Sequence, residues 1–139
     1  MAHHCSTLVL HCIDFRFGKT IKEYLEGKGL LGDADIVAVA GGAKNIADPK
    51  FPSDTEFLLR QIDTSKQLHD IHHVVLMNHT DCGAYGGRAA FPDAAAERAR
   101  LCADLRKAAL VIQTYNPRLE VSLSLAVIDG ETVRIEEIE

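Results

Sequence analysis

The sequence predicts an α/β domain: a mostly parallel sheet of about four strands plus one antiparallel edge strand, with helices on both faces. Two observations predict it. Three short apolar runs, each closed by a polar or glycine-rich turn, alternate with helical patterns, and a final alternating run ends in an Asp-Gly hairpin signal. Residues 6–13 (Ser-Thr-Leu-Val-Leu-His-Cys-Ile) form the first run. The break at 14–18 precedes a helical pattern carrying Ile21, Tyr24 and Leu25, which Gly27 and Gly29 end. Residues 35–40 (Asp-Ile-Val-Ala-Val-Ala) are too short for a buried helix and read as an interior strand closed by Gly41-Gly42.

Ser53 and Glu56 have capping-box spacing, so the next helix starts there and runs to about His69, with Phe57, Leu58, Ile62 and Leu68 on its apolar face. His73 to Met77 is the third strand, and 78–87 is a turn rich in glycine. Pro92-Asp93 opens a longer helix whose buried stripe is Leu101, Leu105, Ala108, Ala109 and Ile112, and Asn116-Pro117 stops it. Val121, Leu123, Leu125 and Val127 alternate with smaller residues as a strand. Asp129-Gly130 then turns the chain into a last strand through Val133-Arg134-Ile135.

At 139 residues, 47% hydrophobic and 25% charged, the chain makes one domain, 1–139, with a single sizeable core. A formal charge of -5 with 6% aromatic residues and no Trp offers neither a phosphate-binding face nor a base-stacking platform, so no nucleic-acid partner is expected. No apolar run approaches the roughly 18 to 20 residues that span a bilayer, and the start lacks a signal-peptide pattern, so no membrane partner and a cytoplasmic location are expected. Four cysteines without an export signal point to thiol or metal chemistry rather than disulfides.

In an open sheet, ligands bind beyond the C-terminal ends of the strands, which directs attention to three segments: 12–16, 41–45 and 78–83. Cys12-Ile13-Asp14-Phe15-Arg16 ends the first run, and His79-Thr80-Asp81-Cys82-Gly83 follows the third. Thiolate and imidazole are the donors Zn²⁺ prefers, His79-x-x-Cys82 can offer both from one turn, and Cys12 adds a third. Three ligands rather than four favour catalysis over a closed structural site, with water or Asp14 as the fourth. Cys5 and Cys102 read as bystanders, Asp81 as a residue that caps or orients the His79 turn, and Tyr85 as a lining residue. Lys44 and Asn45 are candidates to hold an anion.

Cys12, Asp14 and Arg16, then Ala40, Gly41 and Gly42, then His79, Cys82 and Gly83, in this order on these elements, resemble the beta-class carbonic anhydrases over most of the chain. The resemblance implies reversible hydration of carbon dioxide to bicarbonate by a zinc-bound hydroxide. One Zn²⁺ per chain would be held by Cys12, His79 and Cys82. Asp14 and Arg16 would be the catalytic dyad beside the metal, and Gly41, Gly42, Phe15 and Gly83 would line the substrate pocket. It also implies a homodimer or higher homo-oligomer, here without the N-terminal helices that embrace the partner in many relatives. Phe15 stands where the family usually has a polar residue and Ala38 where many members have Arg. These departures keep in view a catalytically silent zinc-binding homologue acting in binding or assembly, and the resemblance also admits a zinc hydrolase of carbonyl sulfide or carbon disulfide.

Overall fold

The computed structural model describes residues 3–139. Its core is a five-stranded sheet in the order β2-β1-β3-β4-β5, formed by β1 (Thr7–His11), β2 (Ala34–Ala38), β3 (His73–His79), β4 (Glu120–Asp129) and β5 (Thr132–Ile138). The first four strands are parallel, and β5 returns antiparallel against β4. The expected architecture of four parallel strands plus one antiparallel edge is thus the observed one.

Period-2 alternation sends side chains to two separate cores. On one face, Leu8, Leu10, Val74, Leu76 and Leu123 pack under α2 (Lys44–Ala47), α3 (Pro52–His69) and α4 (Ala94–Tyr115). On the other, Val9, Val75, Met77, Ala126 and Ile128 meet Phe17 and the Ile21 and Leu25 side chains of α1 (Gly18–Gly27). Within α4 the buried positions Leu101, Leu105, Ala108 and Ile112 follow the helical period, as the sequence predicts. Asp93 caps this helix, its carboxylate accepting from the Ala96 N–H at 2.8 Å.

Three expectations are corrected. The second strand is not interior: β2 is an edge, paired only with β1, and Ile36 on it is 46% exposed. Strand three extends to His79, so Asn78 and His79 belong to the sheet rather than to the following turn. The helix expected at Ser53 starts at Pro52 with Phe51 as N-cap. The reciprocal pair is the Phe51 N–H to the Asp54 carboxylate (3.4 Å) and the Asp54 N–H to the Phe51 carbonyl (2.9 Å), not Ser53 with Glu56. Proline favours the first helical position because its missing N–H has no partner there anyway, and this moves the N-cap from Ser53 to Phe51. Leu58 and Ile62 are buried on this helix, whereas Phe57 and Leu68 face outward.

Candidate metal centre

Because β1 and β3 are parallel neighbours in the register Leu10↔Leu76, their C-terminal ends deliver Cys12 and His79 to the same place. Cys82 follows His79 by three residues and caps the 3-10 turn Gly83–Tyr85. All three side chains are buried, and their donor atoms lie within 4.8 Å of one another. The Cys12 and Cys82 Sγ atoms are 4.0 Å apart. Two thiolates on one tetrahedral zinc, each at about 2.3 Å, stand about 3.8 Å apart, so the pair already has the spacing of co-ligands.

His79 supplies the independent test of fit. Its Nδ1 donates to the Thr80 carbonyl at 2.7 Å, which leaves Nε2 with a free lone pair. Nε2 is fully buried and has no hydrogen-bond partner among the described residues. An unpaired polar atom in a side chain only 1% exposed costs about 1 to 3 kcal/mol, which a metal bond would relieve. Phe17 packs on the imidazole with ring centroids 4.9 Å apart and fixes its plane. Thr80 pins the strand end: its N–H donates to the Ala126 carbonyl and its hydroxyl accepts from the Ile128 N–H at 2.8 Å.

The thiols are electronically uneven. Hydrogen bonding from the Cys82 thiol, together with the Gly41 N–H at 3.3 Å, outweighs burial and lowers the Cys12 thiol below its ordinary value. The same hydrogen bond, burial and the adjacent negative charge push Cys82 up. One proton of the pair is thus easier to lose than the other, and a cation between the two sulfurs would favour losing both.

Gly41 and Gly42 owe their identity to backbone geometry. Both have positive φ, 86° and 52°, and a Cβ on Gly42 would lie 2.9 Å from the Met77 carbonyl oxygen. The turn after β2 thus presses against β3, where Asn78 Oδ1 accepts from the Ala43 N–H at 3.0 Å, and it aims the Gly41 N–H at Cys12. Asn45 uses its amide nitrogen inside this loop on the Ala40 and Gly42 carbonyls, whereas Lys44 donates to the Asp48 carbonyl at 2.9 Å and lies 3.8 Å from its carboxylate.

Asp14 caps the 3-10 turn Phe15–Phe17 by accepting from the Arg16 N–H at 2.9 Å, and the same carboxylate takes Arg16 Nε (3.0 Å) and a terminal nitrogen (2.8 Å). The two-residue spacing makes cap and ion pair one motif. The Arg16 hydrogen bonds hold Asp14 at about 2 against a smaller opposing effect of burial, and Asp14 Oδ2 is 3.8 Å from His79 Nε2. Arg16 is gripped from its other side by Asp81, through carboxylate and carbonyl at 2.9 Å each.

Asp81, at φ 56°, is in turn set by the buried Glu97 of α4, which accepts its N–H at 2.8 Å, and by the Arg88 N–H donated to its carboxylate at 2.8 Å. Tyr85 donates to Asp104 of α4 at 2.7 Å. Glu97, Asp104 and Asn78 carry no local signal of a site; only the fold brings them to it. Of the expected pocket residues, Gly41 and Gly42 border Cys12, Gly83 leaves open space beside its Cα, and Phe15 is 91% exposed. A cavity of about 590 Å³ lies elsewhere, between α1 and the sheet, and includes none of these side chains.

Residues 2–137 match the family model described as "Putative carbonic anhydrase". The chain belongs to that family. Two curated relatives, uncharacterized proteins of Rickettsia conorii and Rickettsia bellii, are 29% and 27% identical to it; the alignments cover 98% and 97% of this chain and 75% and 84% of theirs. Among solved structures the fold is that of the beta-carbonic anhydrases. A carbonic anhydrase from Streptococcus mutans superposes with a TM-score of 0.62 at 21% identity, covering 99% of this chain and 84% of that one. A tetrameric beta-carbonic anhydrase from Sordaria macrospora gives 0.60 at 18% identity, covering 99% and 82%.

Proposed function

We propose that this carbonic anhydrase family member is a zinc enzyme that reversibly hydrates carbon dioxide to bicarbonate. The observation that carries the reading is the buried, unpartnered His79 Nε2 facing two thiols at co-ligand spacing. Cys12, His79 and Cys82 would hold one Zn²⁺. When bound, zinc supplies Lewis acidity that makes a water acidic enough to act as nucleophile near neutral pH.

The chain's own residues do the rest. Arg16 keeps Asp14 ionised and oriented, so that Oδ2 accepts a hydrogen bond from the attacking water and leaves an oxygen lone pair turned toward carbon dioxide. Phe17 closes the floor of the site below His79 and keeps bulk water from that side. The Gly41 N–H stabilises the Cys12 thiolate. Phe15 and Ile13, both exposed beside the site, form an apolar rim that a second copy of the chain would cover, which supports a homodimer or larger assembly. All four cysteines are free, which suits a reducing compartment such as the cytoplasm, and no described helix is long and apolar enough to cross a membrane.

Stopped-flow hydration of carbon dioxide tests the reading. Zinc-loaded parent chain is expected to exceed the uncatalysed rate, Asp14→Asn to retain zinc and lose about 10- to 100-fold of the activity, and Cys12→Ser to fall to background. Zinc-loaded parent chain with no hydration above background would refute it.

A further inference from the structure

Away from Cys12 and His79, at the N-terminal ends of the strands, a second set of mixed donors converges. Cys5 lies just before β1, Asp35 near the start of β2, and His69 at the end of α3, and their donor atoms are all within 4.8 Å of one another. The backbone already fastens these segments: the Cys5 N–H donates to the His69 carbonyl at 3.2 Å, and the Ser6 N–H to the Asp33 carboxylate at 3.0 Å. Asp35 Oδ2 accepts from the Ser65 hydroxyl at 2.6 Å and lies 2.6 Å from His69 Nδ1. The three side chains are half-buried rather than free in solvent. A cavity of about 240 Å³ opens beside them, lined by Asp35, Ser65 and His69 with Val37, Gln61 and Leu68, and gives an ion a route in.

We propose that Cys5, Asp35 and His69 form a second metal site, selective for a borderline divalent cation such as Zn²⁺ and completed by water. One thiolate, one imidazole and one carboxylate are a zinc donor set, and the sulfur selects against Mg²⁺ and Ca²⁺. Two anionic ligands offset the charge of the ion. On binding, Cys5 gives its thiol proton to solvent, the His69 ring proton passes from Nδ1 to Nε2 through solvent, and the Asp35–His69 hydrogen bond is replaced by coordination of Asp35 Oδ2 and His69 Nδ1. Carboxylate and imidazole sharing a tetrahedral ion stand about 3.3 Å apart, so the pair separates by less than an ångström. Ser65 stays on the carboxylate as the outer donor that holds a ligand in place. Such an ion would staple the segment before β1 to the β2 edge and to α3, a role independent of carbon dioxide hydration.

Cobalt(II) reads out thiolate coordination directly by its charge-transfer absorption. Metal-free Cys12→Ser/Cys82→Ser protein is expected to take up one equivalent with that absorption. Adding Cys5→Ser should abolish it, and adding Ser65→Ala should weaken the affinity about 10-fold. In the otherwise unaltered chain, His69→Gln should lower bound zinc from two equivalents to one, which keeps the test valid should the double variant fail to fold. Absence of the absorption in the folded double variant, its persistence after Cys5→Ser, or unchanged zinc content in His69→Gln would each overturn the proposal. None of these readouts depends on hydration activity, so failure here and failure of the catalytic reading are separable.

Discussion

Asp81 takes one Arg16 nitrogen on its carboxylate and another on its carbonyl, so the guanidinium that orients Asp14 is fixed from both sides. Asp81→Ala should lower hydration about 10-fold while bound zinc, measured by elemental analysis, stays unchanged; a purely structural role would instead move zinc content and stability together. His79 and Cys82 were legible as candidates because their x-x spacing is local, and Cys12 because it closes an apolar run; that the two segments meet follows from the parallel β1–β3 pair. The sequence expectation for Asp81, orientation of the His79 turn, missed its grip on Arg16. That contact joins residues 65 positions apart, and no local pattern encodes it. Glu97 and Asn78 were silent for the same reason. Gly42 was legible only as part of a motif; its reason is steric. Gly42→Ala combines a positive φ with a 2.9 Å approach to a backbone oxygen and should cost about 1 to 3 kcal/mol in denaturant unfolding.

At the scale of elements, apolar runs and helix stops gave the five strands and the helices α1, α3 and α4 in their correct order but missed the four-residue α2, and boundaries moved wherever a terminus depended on a specific contact. Pro52 advanced the start of α3, and pairing with β4 carried β3 on to His79. The position of β2 at the edge was not legible. An apolar pentapeptide looks alike in the middle of a sheet and at its border, and only the pairing order separates the two cases. The α4 cap, by contrast, was readable in Pro92-Asp93 and carries a simple expectation. Asp93→Ala removes the acceptor of the Ala96 N–H and should destabilise the fold by about 1 kcal/mol, measured by urea unfolding, without altering zinc content.

For the whole molecule, the parallel β1–β3 pair is what converts two distant sequence motifs into one centre, and the packed faces on either side hold that pair rigid. Assembly belongs to this scale. Phe15→Glu places a charge on the exposed rim and should shift sedimentation toward monomer if a second copy covers it, whereas an unchanged oligomer would remove Phe15 from the interface. The central claim is that Cys12, His79 and Cys82 hold zinc. Anomalous diffraction at the zinc edge tests it most directly, because it locates each ion separately. The structure predicts a peak enclosed by Cys12 Sγ, His79 Nε2 and Cys82 Sγ; crystals grown with zinc that show no peak there, or a Cys12–Cys82 disulfide in its place, would contradict it.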